Sequence, residues 1–453
     1  MNLSIKEIVK AVGGRLLGES EAMITSISTD TRKFAPNALF VPIAGEVFDG
    51  HDFIQQAKDN GAVCALTEKK NAVDEGIPLI YVQSTRRALM DLAGYYRQKH
   101  DITVVAVTGS AGKTTTKDMM YHILARKYKT KKTMGNFNND IGLPLSIFQL
   151  ESDDEVLVLE MGMNHANEIH ELSLIGAPDI AVITHIGDAH IENFENREGI
   201  LHAKLEIVDG LKPNGKVVLN GDDILLTGEI AKDKVKHFDA LYPHSENIIQ
   251  AEPMGLQGSR CHFRWRDKDL FVDVHMPGTH MVMNALLAAV VGLEMGVSPE
   301  EITKGFEDFE PPKGRLTVAH THHMTIISDV YNSNPAAVRE GIKVLQKEKN
   351  EHNRTVAILG DIGELGHVAV PRHYELGVFA AESGIDLLIA IGELSCNMYE
   401  GFIKSTAKDK AVYFETVSEF LTHWKDLLKP NDVVLIKASR SMTFENITNA
   451  LTK

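Results

Sequence analysis

The 453-residue sequence predicts an α/β protein of three domains, at residues 1–98, 99–312 and 313–453. Short β-branched runs alternate with helical stretches, which is typical of parallel sheets with crossover helices. A turn-rich segment, "FEPPKGRL", then precedes a fresh series of strands. The length also suggests about three domains of ordinary size.

The first 98 residues are predicted to form a small α/β domain. The runs "ALFVPIAG" and "PLIYVQS" indicate strands, and a helical stretch begins at Ser84. At the start of the chain, Ser4 and Glu7 form a capping box for a short helix that ends near Gly13. This segment has no signal-peptide apolar stretch.

Four runs, "ITVVAV", "EVLVLE", "DIAVIT" and "GKVVLN", predict a doubly wound parallel sheet in the central domain, because amphipathic helices separate the first three. Four more, "MTIIS", "TVAILG", "DLLIAIG" and "DVVLIKA", predict a sheet in the third domain. There Asn334 suits a helix N-cap and Pro335 the first helical position.

Composition favours a soluble protein with small-molecule partners. The net charge of −15 disfavours attraction to nucleic acid or anionic membrane. The cysteines Cys64, Cys261 and Cys396 are far apart, with no C-x-x-C, so we expect thiols in a reducing compartment. The longest apolar stretch meets Glu294 well before the about 20 residues that a membrane span needs. We therefore expect a cytoplasmic protein without membrane insertion.

The segment "TGSAGKTTTK" indicates a phosphate-binding loop, because a strand precedes it and a helical stretch follows it. Gly109 and Gly112 would allow close backbone approach, Lys113 would bridge terminal phosphates and Thr114 would offer a hydroxyl to Mg²⁺. The standard pattern requires a further glycine where this chain has Val107. The alternative is a glycine-rich turn with an incidental lysine.

Candidate metal ligands follow two of the predicted central strands. Glu160 ends "EVLVLE", and the loop after "DIAVIT" carries His185, Asp188 and His190. Open α/β sheets bind ligands at this edge, and imidazole can bind metal or phosphate. The alternative is that these are an acidic strand end and ordinary polar loop residues. Lys204 lies on a helical segment, where a lysine taken alone is expected to be a solvated surface charge.

The shortened loop, T-G-x-x-G-K-T-[ST], resembles the ATP loop of the Mur ligase superfamily and its folylpolyglutamate synthetase relatives. "NFNNDIGLPLS", "DVYNSNPAA" and "LGDIGELG" resemble segments of the members that add D-alanyl-D-alanine. The members that add the third residue of the peptide instead carry D-Y-A-H-T-P and D-N-P-R types of sequence, and neither is found here. The resemblance spans essentially the whole chain.

The resemblance implies a UDP-substrate-binding N-terminal domain, a central ATP-binding domain and a C-terminal Rossmann-like domain that closes over the site and binds the dipeptide. It implies an ADP-forming ligase that joins D-alanyl-D-alanine to UDP-N-acetylmuramoyl-tripeptide through an acyl phosphate. The sequence shows no dimerisation stripe, so we expect a monomer. ATP and Mg²⁺ would be required, in cytoplasmic synthesis of peptidoglycan precursors for cell wall, shape and division. The alternatives are a tripeptide-forming ligase, a folylpolyglutamate synthetase, and a switch or transport ATPase whose ATP hydrolysis a macromolecule stimulates.

The resemblance also implies roles for individual residues. The catalytic residues would be Lys113, Lys204, His190 and Glu160, and the metal ligands Thr114, Glu160, His190 and Lys204. The nucleotide would be bound by Gly109, Ser110, Ala111, Gly112, Lys113, Thr114, Thr115, Asn284, Arg315 and Asp329. The other substrates would be bound by Thr31, Arg32, Asp49, Gly50, His51, Asn136, Asn138, Asn139, Asn332, Lys437, Ser439 and Arg440. In most members the lysine of A-K-x-E-[IL], here Lys204, reacts with CO₂ to form a carbamate that supports a second Mg²⁺.

Overall fold

A computed structural model describes residues 1–32, 35–45, 47–70 and 76–453. It confirms the α/β class: the described residues form five sheets, of which the three largest are mainly parallel. Each of these three sheets comes from one of the three predicted domains. No helix in the described part of the chain is long and apolar enough to cross a membrane.

The described N-terminal region contains a five-stranded sheet, a separate two-stranded antiparallel sheet and three α-helices. Its elements are β1 (Leu3–Ser4), α1 (Ile5–Ala11), β2 (Arg15–Leu17), β3 (Met23–Ile24), β4 (Ser26–Ser28), β5 (Ala38–Phe40), α2 (Ile54–Asp59), β6 (Ala62–Thr67), β7 (Leu79–Tyr81) and α3 (Thr85–Gln98). The strand order is β2-β7-β6-β5-β4, with an antiparallel edge at β2. The two predicted strands are confirmed as β5 and β7, and the predicted helix is α3, capped by Ser84.

The predicted capping box at the start of α1 is confirmed. The Ser4 Oγ accepts a hydrogen bond of 3.3 Å from the Glu7 amide, and Glu7 Oε2 accepts one of 2.9 Å from the Ser4 amide. Lys99 Nζ donates to Glu7 Oε1 at 2.5 Å and so ties α1 to the end of α3. The hydrogen bonds from Lys99 and Ser4 lower the pKa of Glu7 to about 2.

Glu7→Ala is expected to lower amide exchange protection in α1 about fivefold at neutral pH, the size of one lost capping interaction. Because the pKa of Glu7 falls from an ordinary value of 4.5 to about 2 on folding, its contribution is complete above pH 4.5 and is lost towards pH 2. The difference in amide exchange protection between the variant and the parent should therefore decrease as the pH is lowered from 4.5 towards 2. The exposed Glu19, changed to alanine, is the control; equal protection in Glu7→Ala and the parent at pH 7 would contradict the prediction.

The central region is built on a six-stranded parallel sheet of order β13-β12-β11-β8-β10-β9. Its elements are β8 (Thr103–Thr108), α4 (Lys113–Ala125), β9 (Thr130–Lys132), α5 (Gly142–Ile147), β10 (Val156–Glu160), α6 (Glu168–Gly176), β11 (Ile180–Ile183), α7 (Arg197–Leu205), β12 (Lys216–Leu219), α8 (Glu229–Val235) and β13 (Asp239–Leu241). The four predicted strands are confirmed as β8, β10, β11 and β12, which lie side by side in the sheet.

A three-stranded antiparallel sheet follows, which was not predicted from the sequence. It comprises β14 (Ile248–Pro253), β15 (Ser259–Trp265) and β16 (Lys268–Val274), and two helices follow, α9 (Thr279–Glu294) and α10 (Pro299–Glu307). In β15, buried and more exposed residues alternate, the pattern of a strand with one covered face. In the sequence, the same alternation is visible as Cys261, Phe263 and Trp265 at every second position, and it was the signal for this strand.

The C-terminal region contains a six-stranded sheet of order β17-β18-β22-β19-β20-β21, parallel except at the β17 edge. Its elements are β17 (Thr317–His320), β18 (Thr325–Asp329), α11 (Pro335–Lys347), β19 (Arg354–Gly360), α12 (Ala369–Glu382), β20 (Leu387–Ile391), α13 (Cys396–Ser405), β21 (Ala411–Phe414), α14 (Val417–Leu427), β22 (Asp432–Lys437) and α15 (Glu445–Leu451). The four predicted strands are confirmed as β18, β19, β20 and β22. Asn334 caps α11 and Pro335 begins it, as predicted.

The domain boundaries remain predictions, and the element bounds are compatible with them. The boundary at 98 coincides with the last residue of α3, and the boundary at 313 lies between α10 and β17. Residues at or just after the carboxyl ends of β8, β10, β11, β12, β18 and β22 line one cavity between the central and C-terminal sheets. The fold therefore places the predicted strand-end residues on both sides of a single cleft.

Candidate active site

The cleft between the two six-stranded sheets holds a cavity of about 580 Å³. Fifteen of the predicted site residues line it: Ser110, Ala111, Gly112, Lys113, Thr114, Thr115, Asn136, Asn138, Glu160, His190, Asn284, Arg315, Asp329, Asn332 and Lys437. Residues of the central and C-terminal regions therefore contribute to one site, at the edge where parallel sheets bind ligands.

The remaining predicted residues do not line this cavity. Five belong to the N-terminal region: Thr31, Arg32, Asp49, Gly50 and His51. Five others belong to the two regions that form the cleft: Gly109, Asn139, Lys204, Ser439 and Arg440. Ser439 supports the wall indirectly, since its Oγ accepts a hydrogen bond of 2.8 Å from the amide of Gly363, which lines the cavity.

The phosphate loop has the backbone that the sequence predicted. Gly109 and Gly112 have φ angles of +146° and +83°, which favour glycine. A Cβ on Gly109 would lie 2.0 Å from Thr184 Oγ1, and one on Gly112 would lie 2.7 Å from Asn284 Oδ1. Helix α4 begins at Lys113, directly after the loop, so its free N-terminal amides face the cavity.

The loop lysine is folded back in this structure. Lys113 Nζ donates a hydrogen bond of 2.7 Å to the carbonyl of Gly109. Burial lowers the pKa of Lys113, and the Glu160 carboxylate opposes that shift. A bound phosphate would offer the ammonium a stronger, charged partner than the carbonyl.

Glu160 is the last residue of β10, and its side chain is buried beside the loop. Its Oε1 accepts a hydrogen bond of 2.8 Å from Asn138 Nδ2. Its Oε2 is buried and accepts no hydrogen bond from any residue that the structure describes. A buried carboxylate oxygen with unused lone pairs is suited to a cation.

The donor set fits magnesium. Mg²⁺ prefers oxygen ligands and is usually held by one or two carboxylates together with water and substrate phosphate. Glu160 Oε2 accepts no hydrogen bond from the described residues and lies 3.7 Å from Lys117 Nζ. The Thr114 hydroxyl lies at the start of α4, where it accepts a 2.9 Å hydrogen bond from Arg315. Glu160 and Thr114 both line the cavity together with the loop that would hold the phosphates.

One cluster of three carboxylates lies elsewhere in the described chain. Glu151, Asp153 and Asp154 could together contact an ion, but Lys129 already contacts all three. Neither Glu160 nor His190 belongs to such a preformed group of ligands. The predicted ligands Glu160 and His190 therefore lie apart from the one carboxylate cluster found among the described residues.

His190 reaches across the cleft. Its Nδ1 lies 2.6 Å from Glu364 Oε2, a close contact that lacks hydrogen-bond alignment. The contact with His190 lowers the pKa of Glu364. Asp188, from the same loop, contacts Arg197 within its own domain and lies 3.4 Å from Arg372 on α12. The loop after β11 thus contacts the C-terminal region at two points.

Lys204 is not a solvated surface charge. It is fully buried on α7, and its Nζ has no hydrogen-bond partner among the described residues. Burial lowers the pKa of Lys204 well below its usual range, and the charge of Lys113 lowers it further. The environment therefore favours the neutral amine, the form that can act as a nucleophile.

The C-terminal region contacts the phosphate loop directly. Besides the Arg315 bond to Thr114, Asn334 Nδ2 approaches the Ser110 carbonyl to 3.5 Å. Lys437 is fully buried and donates to Asp329 Oδ2 at 2.7 Å. Asp329 thus contributes a paired carboxylate to the wall.

Several residues of the site were missed in the sequence analysis. Asn220 and Asp222 line the cavity after β12, and the rule that ligands bind at strand ends could have found them. Glu364 lies in a segment that was quoted for its resemblance, but its contact with His190 depends on tertiary structure. Lys117 is buried behind Glu160, and a lysine on a helix gives no signal of that position.

The chain is a nucleotide-dependent enzyme of the phosphate-loop class, because the loop, the buried carboxylate and a third domain over both meet in one cleft. It belongs to the Mur ligase family. Three family models match: the Mur ligase family catalytic domain at residues 23–97, the Mur ligase middle domain at 107–292 and the Mur ligase glutamate ligase domain at 314–440.

Full-length relatives share one name. The chain is 34% identical to UDP-N-acetylmuramoyl-tripeptide--D-alanyl-D-alanine ligase of Bacillus subtilis, covering 99% of this chain and 98% of the relative. It is 31% identical to the Escherichia coli protein of that name, covering 100% and 98%.

Solved structures agree with these relatives. A crystal structure of MurF from Acinetobacter baumannii superposes with a TM-score of 0.92 at 32% identity, covering 100% of this chain and 99% of that one. MurF ligase from Thermotoga maritima, in complex with ADP, gives 0.81 at 28% identity, covering 94% and 97%. A Mycobacterium tuberculosis folylpolyglutamate synthase shares the fold, with a TM-score of 0.65 at 15% identity.

Proposed function

We propose that this chain is the ATP-dependent ligase that joins D-alanyl-D-alanine to UDP-N-acetylmuramoyl-tripeptide, forming ADP and phosphate. The main support for the proposal is the similarity, over 99% of the chain, to the Bacillus subtilis relative named UDP-N-acetylmuramoyl-tripeptide--D-alanyl-D-alanine ligase. The cleft supports it chemically, because the phosphate loop and the buried Glu160 carboxylate line one cavity. The amine of Lys204 is fully buried outside that lining, and burial and the charge of Lys113 lower its pKa.

The phosphate loop would activate the tripeptide. Amide formation from a carboxylate is uphill in water, so the terminal carboxylate attacks the γ-phosphate of ATP, and ADP leaves. The product is an acyl phosphate. Two anions meet in this step, so positive groups must lie where charge develops. Lys113 and the α4 N-terminus are the groups placed to neutralise it.

The second step uses the dipeptide. Its amino group attacks the acyl carbon, the carbon–phosphate oxygen bond breaks, and phosphate leaves with the amine losing a proton. Lys437, Ser439 and Arg440 are our proposed contacts for the incoming dipeptide. Of these, Lys437 lines the cavity and the Ser439 hydroxyl supports the loop at Gly363.

Thr114 and Glu160 are the proposed ligands of one Mg²⁺. His190 and Lys204 are the proposed ligands of a second Mg²⁺. Magnesium would supply neutralising charge to the phosphate oxygens. Lys204 would serve as a carbamate: its neutral amine attacks CO₂, a carbon–nitrogen bond forms and a proton is released. This chemistry converts an unpaired buried amine into an anion beside a cation site, which agrees with the missing hydrogen-bond partner of Lys204.

The C-terminal domain would exclude water from the acyl phosphate, which hydrolyses readily. The contacts of Arg315 with Thr114 and of His190 with Glu364 support this role, because each crosses the cleft. We propose that these contacts hold the domain over the site while the dipeptide attacks.

The N-terminal region is proposed to bind the uridine diphosphate end of the acceptor through Thr31, Arg32, Asp49, Gly50 and His51. This segment contains a tight turn. Asp49 Oδ1 lies 2.6 Å from His51 Nδ1, and a Cβ on Gly50 would lie 2.6 Å from the Ile43 amide nitrogen. Such a turn presents backbone groups in a fixed arrangement.

Phosphate release by the purified protein tests the proposal. With Mg-ATP and UDP-N-acetylmuramoyl-tripeptide, release should require D-alanyl-D-alanine and match the amount of pentapeptide product. Lysine and diaminopimelate forms of the tripeptide should differ in KM, which identifies the preferred acceptor. Phosphate release that does not depend on either substrate but increases when a macromolecule is added would favour a switch or transport ATPase instead.

We propose the cytoplasm as the compartment, because both substrates of the first step are nucleotides. We also propose that the protein works as a monomer.

A further inference from the structure

Lys117 lies one helical turn after Lys113 on α4, in a position that the proposed chemistry does not use. Its side chain is 2% exposed. A lysine is almost never this buried without a charged partner, because removal of an ammonium from water costs several kcal/mol. The identity of that partner decides what Lys117 does.

Two carboxylates are within reach of the buried ammonium. Lys117 Nζ lies 3.5 Å from Asp118 Oδ1 and 3.7 Å from Glu160 Oε2. Asp118 Oδ1 already accepts a hydrogen bond of 2.8 Å from Lys132, so it does not depend on Lys117. Glu160 Oε2 has only Lys117 as a cationic neighbour within 4 Å among the described residues.

Lys117 approaches Glu160 from behind. Glu160 lines the cavity and Lys117 does not, so the lysine is on the protein side of the carboxylate. On the cavity side, Asn138 holds Oε1 through its hydrogen bond and leaves Oε2 free of hydrogen bonds. The ammonium and a cation in the cavity would therefore act on the same carboxylate oxygen.

We infer that Lys117 is the resident counter-ion of Glu160, and that it lowers the affinity of the empty site for divalent cations until nucleotide phosphates arrive. The inference rests on the proposed function, in which Glu160 holds Mg²⁺. Lys117 acts through Glu160 and is a positioning residue. Its positive charge repels a metal at Oε2, whereas ATP phosphates add negative charge that outweighs this repulsion.

When a metal binds Glu160, Lys117 remains paired with Asp118. The carboxylate of Asp118 lies between two lysines, at 3.5 Å from Lys117 and 2.8 Å from Lys132. No buried charge is then left without a partner in either state. This arrangement couples metal uptake to nucleotide uptake without movement of the backbone.

Manganese binding to the full-length, nucleotide-free protein tests the inference, followed by the electron paramagnetic resonance signal of free Mn²⁺. Lys117→Met removes the charge and keeps the side-chain length. It should bind Mn²⁺ at least about tenfold more tightly than the parent, because a like charge near the ion is removed. Adding Glu160→Gln to the variant should abolish the gain. A lysine that only fills the core would give unchanged or weaker binding.

Lys132→Met is the matched control, because it removes a charge from the same network without a contact to Glu160. It should leave the Mn²⁺ affinity within about twofold of the parent. An equal gain in Lys132→Met would show a general charge effect and overturn the inference. Lys117→Gln, which removes the same charge with a polar side chain, replaces Lys117→Met if that variant does not fold.

Repeating the Mn²⁺ titration with a non-hydrolysable ATP analogue distinguishes a failure of the inference about Lys117 from a failure of the proposed metal role of Glu160. Absence of any Glu160-dependent Mn²⁺ binding, even with the analogue, would overturn both the inference and the metal role of Glu160. If Mn²⁺ binding depends on Glu160 but its affinity is unchanged in Lys117→Met, only the inference about Lys117 is overturned.

Discussion

Lys113→Ala is expected to lower kcat for ligation by at least about a hundredfold, the cost of removing one preorganised positive donor from developing charge. Lys113 is the charged side chain of the phosphate loop and begins α4, so its ammonium can turn from the Gly109 carbonyl to phosphate. The loss should appear in formation of the acyl phosphate. ADP release in a single turnover, with UDP-tripeptide and without dipeptide, measures that step.

The control for this variant is Lys232→Ala, which removes an exposed lysine on α8 of the same domain. Its ADP release should equal that of the parent. Retention of ADP release in Lys113→Ala would remove this lysine from the phosphate site and leave the helix N-terminus as the main source of positive potential.

Lys204→Ala is expected to abolish ligation while leaving the fold intact. The proposed carbamate needs the amine, and removal of an anion that supports the metal should cost at least about a hundredfold in kcat. The variant also leaves a void at a fully buried position. A short carboxylic acid such as acetate or propionate could enter that void and replace the anion, so added acid should restore part of the activity.

Lys204→Met is the matched variant, since it fills the same space with an uncharged, unreactive chain. It should be as inactive as Lys204→Ala and should not respond to added acid. Undiminished turnover in Lys204→Ala would remove the carbamate role. Equal rescue of both variants would show that the acid acts outside the Lys204 pocket.

The strands at the centre of each parallel sheet were predictable, and the edges were not. β8, β10 and β11 are buried on both faces, so they appear in the sequence as continuous β-branched runs. β9 and β21 are short edge strands with partly exposed residues, and "TKK" in β9 has no apolar pattern. Pairing with a neighbour, which the local sequence does not encode, makes such segments strands.

The site was predictable where it depends on strand ends. Glu160 and His190 were placed by the rule that parallel sheets bind ligands at their carboxyl edge, and both line the cavity. Contacts between residues far apart in the chain were not predictable from local pattern: Glu364 meets His190, and Arg315 meets Thr114. The burial of individual side chains was also not predictable from the sequence. It separates Lys204 from an ordinary surface lysine, because only the packed structure shows that its amine is desolvated.

Transfer of oxygen from the tripeptide carboxylate to phosphate shows whether the reaction passes through an acyl phosphate. The acceptor is prepared with ¹⁸O in both oxygens of its terminal carboxylate and is incubated with Mg-ATP and D-alanyl-D-alanine. An acyl phosphate leaves one labelled oxygen in each phosphate released and one in the new amide. We expect singly labelled phosphate in amounts equal to the pentapeptide formed. Unlabelled phosphate would contradict it, because the carboxylate would then never have attacked the γ-phosphate.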